Sequence, residues 1–151
     1  MKNKNCLWIQ VVLLCCLLLG GSAVLRAQEG LQIATLFDKY KEQKNVTYVE
    51  LNGEILESYG MKAYRSLVFK DVSPYRKEVQ RCLDADRQNR AKTTQEVVKD
   101  GVLWSFYCQL KPVDGNHRYI IFKVGKQLAA TLIYIEGKLE EKELMEMLYK
   151  K

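Results

Sequence analysis

Apolar residues recur at the 3.6-residue period of an amphipathic helix in three segments of the chain. The first segment has a charged opposite face, which predicts a helix from Leu31 to Gln43. Ser73-Pro74 predicts the start of a second helix, since serine is a good cap and proline fits the first helical position. This helix is expected to end near Arg90. Acidic residues from Glu140 onward favour the start of a third helix, because the helix dipole attracts anions there.

Strands are predicted where β-branched and aromatic residues cluster between turn signals. Two precede the second helix and four follow it: Asn45–Leu51, Tyr64–Phe69, Thr94–Lys99, Val102–Leu110, Tyr119–Val124 and Leu128–Ile135. Within the second strand, Leu67, Val68 and Phe69 are apolar in succession, which indicates burial on both faces of a sheet.

Turn residues place the connections between these strands. Asn52-Gly53 ends the first strand and leads into a short helical turn at Glu54–Gly60. Asp100-Gly101 predicts a two-residue hairpin, whereas Lys111–Asn116 is expected to form a longer loop. The order of elements predicts an α+β fold, with a mainly antiparallel sheet, a C-terminal four-stranded meander and helices packed on one face.

The first 27 residues have the three parts of an export signal. Lys2 and Lys4 precede an apolar stretch at residues 6–19, broken only by Gln10, and small residues follow. This stretch is shorter than the roughly 20 apolar residues that a membrane-spanning helix needs. Residues 1–27 are therefore predicted to be a signal peptide, and residues 28–151 a single α+β domain.

Two cleavage positions and two other fates of the leader fit this pattern. Cleavage after Ala27 leaves a chain that begins at Gln28, and cleavage after Ala23 satisfies the small-residue rule better. An uncleaved signal anchor is the first alternative. Lipidation at Cys15 is the second, although this cysteine lies inside the apolar stretch and follows a leucine.

Charge narrows the set of partners. The whole chain carries a net charge of +6, but removal of residues 1–27 takes away Lys2, Lys4 and Arg26 and no acid, which leaves +3. This excess of positive charge is small, and the chain has no motif that combines aromatic and basic residues. For an exported chain, these features argue against nucleic acid as the partner. The segment 62–92 is the most basic, and the second helix within it predicts an anion-binding face made of Arg76, Lys77, Arg81, Arg87 and Arg90. An envelope protein or an anionic polymer is the expected partner, and a solvated helix face is the alternative.

The chain also resembles the small secreted domain-of-unknown-function families of Gram-negative gut anaerobes. The features that carry the resemblance are the leader ending near Ala27-Gln28, the helical Leu36–Tyr40 and the closing Leu132–Leu139. The resemblance implies an α+β fold and a location in the periplasm or cell envelope of a Gram-negative bacterium. It implies no activity.

Two cysteines remain after removal of the leader, and they permit two interpretations. Cys82 and Cys108 each lie on the apolar face of a predicted element, so an oxidising compartment would allow a disulfide between them. Two buried free thiols are the alternative. A thiol enzyme would pair Cys108 with His117, the one histidine of the chain, across the predicted loop.

Other chemistry has weaker support in the sequence. The carboxylates Glu50, Glu54, Glu57 and Glu96 have no spacing that separates them from surface acids. Asp84, Asp86 and Asn89 have the spacing of the start of a calcium loop, but the central glycine and the final glutamate are missing. No zinc motif and no phosphate-binding motif is present, so no cofactor is expected. The leading hypothesis is a non-catalytic exported domain that acts by binding, and the alternative is a small secreted hydrolase or thiol enzyme.

Export with cleavage is testable on the mature protein. Because the leader has a basic start, a short apolar stretch and small residues at its end, N-terminal sequencing of the exported chain is expected to begin at Gln28 or Val24. An intact Met1 on chain recovered from the membrane fraction would contradict this prediction.

Overall fold

A computed structural model describes residues 30–150, and the predicted leader lies outside this range. The helices are α1 (Gln32–Tyr40), α2 (Glu54–Glu57), α3 (Arg76–Arg90) and α4 (Glu141–Tyr149). The strands are β1 (Val46–Leu51), β2 (Met61–Phe69), β3 (Ala91–Lys99), β4 (Val102–Val113), β5 (Asn116–Val124) and β6 (Ala130–Gly137). None of the helices within residues 30–150 has the length and apolar character needed to cross a membrane.

All six strands join one antiparallel sheet in the order β1-β2-β6-β5-β4-β3. Strands β3 to β6 form the predicted meander, and the chain is of the predicted α+β type. Helix α3 carries the chain from β2 across the sheet to β3, which is the opposite edge strand. The second edge of β2 is therefore left open, and the last strand, β6, pairs with it. The central position of β6 therefore joins the N-terminal hairpin to the meander.

Two tight turns define the meander. The predicted hairpin at Asp100-Gly101 has φ of 53° and 74°, the left-handed values that a two-residue turn of this kind requires. The predicted loop Lys111–Asn116 is shorter than expected, because β4 continues to Val113 and the turn is only Asp114-Gly115. A register shift after Leu110 lets the strand continue past Pro112, which cannot donate a hydrogen bond to the ladder.

Helices α1 and α3 cover one face of the sheet and bury its main core. Leu36 and Phe37 of α1, with Val79 and Leu83 of α3, are at most 1% exposed. They pack against side chains that alternate along the strands, including Leu67, Phe106, Ile120, Phe122 and Leu132. The period-2 pattern of the strands and the 3.6-residue pattern of the helices thus meet in one continuous apolar layer.

The expectation that helices pack on one face of the sheet only is wrong. Leu56 of α2 and Leu144 of α4 pack on the opposite face, against Tyr107, Tyr119 and Ile135. The tyrosines anchor α4 there, since Tyr119 donates to the carbonyl of Leu139 at 2.9 Å and Tyr107 donates to Glu141 at 3.0 Å. The second face of the sheet also carries apolar side chains, and helices α2 and α4 shield part of them from water.

The two helices of the first face are joined by a buried carboxylate. Asp86 of α3 is 2% exposed and accepts hydrogen bonds from the backbone amides of Gln32 (2.7 Å) and Ile33 (3.0 Å). These amides open α1 and have no partner within their own helix. Burial raises the pKa of Asp86, whereas the two amides and the nearby Arg90 and Arg118 oppose that shift. The carboxylate therefore supplies from α3 the cap that the sequence of α1 lacks.

This cap can be tested by comparing two aspartates of the same helix. Asp86→Ala is expected to lower the free energy of unfolding by about 2 kcal/mol or more, because two buried amides lose their acceptor. Asp84→Ala is the matched control, since its side chain is 41% exposed and pairs only with Arg87, three residues along the helix. Its effect is expected to stay within about 0.5 kcal/mol. Equal losses in urea unfolding of the two variants would contradict the capping role.

Candidate functional site

The two cysteines are buried, free thiols. Cys82 lies beside α1, with the guanidinium of Arg81 at 3.6 Å from its sulfur, whereas Cys108 receives the hydroxyl of Thr94 at 3.9 Å. Burial raises the pKa of both thiols, that of Cys108 to about 11. In the structure Cys82 and Cys108 are therefore two protonated core side chains, and the disulfide that the sequence also permits stays a prediction, which the alkylation experiment below tests.

The sheet also separates Cys108 from His117. Cys108 pairs with Ile120 and faces the core under α1 and α3. His117 contacts the ring of Tyr119, whose side chain lies on the opposite face. The two groups that a thiol enzyme would need are thus on different sides of the sheet, because His117 is three positions along β5 from Ile120, the partner of Cys108, and side chains alternate between the two faces.

The predicted anion-binding face is divided by intramolecular contacts. Arg76 donates to the carbonyl of Leu103 at 3.3 Å and lies 5.4 Å from the ring centroid of Trp104. Arg87 pairs with Asp84 at 3.2 Å and with Glu96 at 3.1 Å. These two arginines hold α3 against the meander and do not form part of an open cationic surface.

The remaining three basic residues of that face do not form one cluster. Lys77 and Arg81 are exposed and line a shallow pocket of about 490 Å³ that also includes Asp84. Arg90 lies at the other end of α3, close to Gly30 and to Asp86. Only Lys77 and Arg81 are therefore placed to meet an anion together, and Asp84 reduces the positive potential beside them.

The carboxylates considered from the sequence are dispersed or already engaged. Glu50 accepts the hydroxyl of Tyr48 at 2.8 Å, Glu96 pairs with Arg87, and Glu54 and Glu57 lie on the surface of α2. The calcium-like spacing falls within α3, where Asp86 caps α1. Across residues 30–150, no three histidine, cysteine or carboxylate side chains converge as a metal site would require.

A buried polar cluster lies under the end of α3. Arg118 donates to the carbonyl of Lys111 through two nitrogens, at 3.0 and 2.7 Å. Tyr134 donates to Glu136 at 3.1 Å, and Lys62 lies 3.6 Å from the other carboxylate oxygen. Arg118 and Glu136 are each 2% exposed, whereas the side chain of Lys62 is 41% exposed, and the opposite charges offset one another. We assign the cluster a structural role, since Arg118 joins β5 to β4 and the Lys62–Glu136 pair joins β2 to β6.

The open part of the second sheet face forms an apolar groove. Its floor follows the strand register, in which Thr131 lies between Val68 and Lys123, and Ile133 lies beside Ile121. The last turn of α4 makes one wall and the β5–β6 loop closes one end. The lining residues, which define the apolar groove, are Val68, Ile121, Lys123, Gly125, Ala129, Ala130, Thr131, Ile133, Leu148 and Tyr149, and they enclose about 390 Å³.

The groove exists because α4 covers only half of this face. The first turns of α4 are held by a capping box between Glu140 and Glu143 and by the fully buried Leu144. Farther along, Leu148 is 39% and Tyr149 is 72% exposed, and Val68 on the floor is 39% exposed. Apolar side chains that stay open to solvent side by side are typical of a binding surface.

The chain was compared with known proteins, and one family model matches it over residues 21–148. The chain belongs to the family of unknown function DUF6108. No curated protein matches it. The part of the chain matched to DUF6108 includes every residue that lines the groove except Tyr149.

Sequence reasoning missed the groove, although one signal for it was present. The run Leu67–Phe69 indicated burial on both faces, yet Val68 lies on the uncovered part of the second face. The pattern predicts an apolar position, but it contains no information on whether a helix covers it.

The thiol assignment gives a pH-dependent prediction. With a pKa of about 11, only about 1% of Cys108 is ionised at pH 9, where an ordinary thiol is half ionised. Alkylation at pH 9 without reductant is expected to be at least about fifty-fold slower in the native chain than in urea, and to label two thiols in urea.

The same shift affects stability with a definite sign. Between pH 9 and 11 the unfolded thiol ionises first, so the free energy of unfolding falls as pH rises. Cys108→Ala should reduce this dependence on pH. Failure to label any thiol in urea would show that the disulfide forms.

Proposed function

We propose that this chain is an exported, non-catalytic domain of the cell envelope that acts by binding a ligand in the apolar groove. In this proposal it is a secreted protein of a Gram-negative gut anaerobe, as the resemblance in its sequence implies. The observation that carries the proposal is the uncovered apolar strip between β2, β5, β6 and the last turn of α4.

The groove has the properties expected of a small-ligand site. Its volume of about 390 Å³ falls within the range of about 300–1,000 Å³ that such sites occupy. Its floor is rigid, because it consists of three hydrogen-bonded strands in the middle of the sheet. A ligand that covers Val68, Ile121 and Leu148 would remove apolar surface from water, which contributes roughly 25 cal/mol for each Å².

The described residues support binding better than they support catalysis. Cys108 is buried with a raised pKa and is separated from His117 by the sheet. Of the candidate acids, Glu50 on β1 and Glu96 on β3 lie at opposite edges of the sheet. Each already has a partner, Tyr48 and Arg87 respectively. A hydrolase or thiol enzyme would need a nucleophile and a base that face one cleft.

Binding in the groove can be tested with Nile red, an uncharged apolar dye whose emission rises in apolar surroundings. The wild-type chain is expected to bind the dye, and Val68→Asp to weaken binding at least about five-fold, because a carboxylate on the floor must be desolvated. Val68 is 39% exposed, so this substitution should leave the fold intact.

Val97→Asp is the matched control. Val97 lies in the same row across the sheet as Val68 but on the edge strand β3, outside the groove, and it is 57% exposed. Dye affinity like that of the wild type is expected. Loss of binding in both variants, or no emission increase with the wild-type chain, would refute the proposed site. Circular dichroism melting checks that each variant is folded.

A further inference from the structure

The groove is apolar except for one charge. Among its ten lining residues only Lys123 carries a charge at neutral pH, and its side chain is exposed. Its neighbours across the sheet on this face are Ser105 and Thr131, which carry no charge. Among residues 30–150, the described ion pairs involve other lysines and arginines, so Lys123 is not neutralised by a neighbouring acid.

A second lysine lies at the same end of the groove. Gly125 and Ala129 line the groove, and Lys126 is part of the β5–β6 loop between them. The loop is held in a defined shape, because the amide of Gly125 donates to Ala129 at 2.7 Å and the amide of Val72 donates to Leu128 at 2.9 Å. The loop end of the groove is therefore positive, while its walls and floor are apolar.

We infer that the groove binds a single-chain amphiphile with an acidic head group, with the apolar chain along Ile133 and Leu148 and the head group beside Lys123. This inference rests on the proposed function and names the ligand class of that site. An apolar group lying over Lys123 would remove water from the ammonium group without replacing its hydrogen bonds, which is unfavourable, and a neutral polar group would supply an acceptor without an opposite charge. An acidic head group supplies that partner and forms a charge-assisted hydrogen bond.

The size of the groove agrees with one chain and not with a macromolecular partner. A volume of about 390 Å³ is near the lower end of the range for ligand pockets. A stable protein interface buries about 800 Å² on each partner, far more than ten lining residues around a narrow strip provide.

The test uses displacement of Nile red by three C12 compounds, with dodecanoate and dodecylamine kept below their micelle concentrations and dodecanol kept below its solubility limit. Because only the acid pairs with Lys123, dodecanoate is expected to displace the dye at a concentration about five- to ten-fold lower than the alcohol requires, and the amine is expected to be the weakest competitor. The advantage of the acid over the alcohol should decrease as salt screens the charge.

Charge reversal at Lys123 provides the decisive comparison. Lys123→Glu is expected to reverse the order, so that dodecylamine competes better than dodecanoate, when each displacement is referred to the Nile red affinity measured for that same variant. Lys99→Glu makes the same change of charge on exposed β3, outside the groove, and is expected to keep the wild-type order.

The outcomes separate the two proposals. Equal displacement by the three compounds, or the same order in Lys123→Glu, would overturn the acidic-ligand inference and leave the apolar binding site in place. No Nile red binding by the wild-type chain would overturn both. If light scattering shows a dimer whose formation excludes the dye, a second copy of the chain occupies the groove and the inference is wrong.

Discussion

A single buried carboxylate determines how the first helical layer sits on the sheet. Asp86 of α3 accepts the first two amides of α1, so the short N-terminal helix is positioned by a residue 54 positions away and not by its own cap. The cost of burying this charge is offset by the amides and by Arg90 and Arg118, which also connects β5 to the end of β4. Helix α1, helix α3 and the centre of the sheet therefore form one cooperative unit. The calcium-like spacing therefore lies within a helix that uses Asp86 as the cap of another helix.

The first face is closed by that unit, whereas the second face is only partly covered. Its strands are apolar enough to need a cover, but α4 is anchored mainly through its first turns, by Leu144 and by hydroxyls from two tyrosines. Helix α4 ends before it covers the strand residues next to the β5–β6 loop. These uncovered residues form the apolar groove. The same β6 strand thus contributes Leu132 to the closed core and Ile133 to the open site. Stability and binding are divided between the two faces of one sheet, so groove residues can change without disturbing the main core.

The fate of the candidate residues shows how far residue type alone can be trusted. Five basic residues on one helix suggested an anionic partner, yet Arg76 and Arg87 are used to hold the meander. Two cysteines on apolar faces suggested a bond, yet each thiol has its own neighbours on a different element. For the two cysteines the pattern identified the correct, buried face of each element. The pattern could not predict which groups these side chains contact. The contacts come from other segments of the chain, such as Leu103 for Arg76 and Thr94 for Cys108.

The sequence by itself determined the α+β class, the meander, the Asp100-Gly101 hairpin and the start of α4. These depend on local properties: period, turn residues with left-handed φ, and a capping box. It also marked Val68 as an apolar position in a strand with apolar residues on both faces. Only the tertiary structure decided that helices lie on both faces, that the predicted loop at Lys111–Asn116 is a two-residue turn, and that Asp86 is a cap. The groove belongs to this second group, because its existence depends on where a helix stops covering a sheet. That limit is set by long-range packing of Tyr107, Tyr119 and Leu144, which no local pattern along the chain encodes.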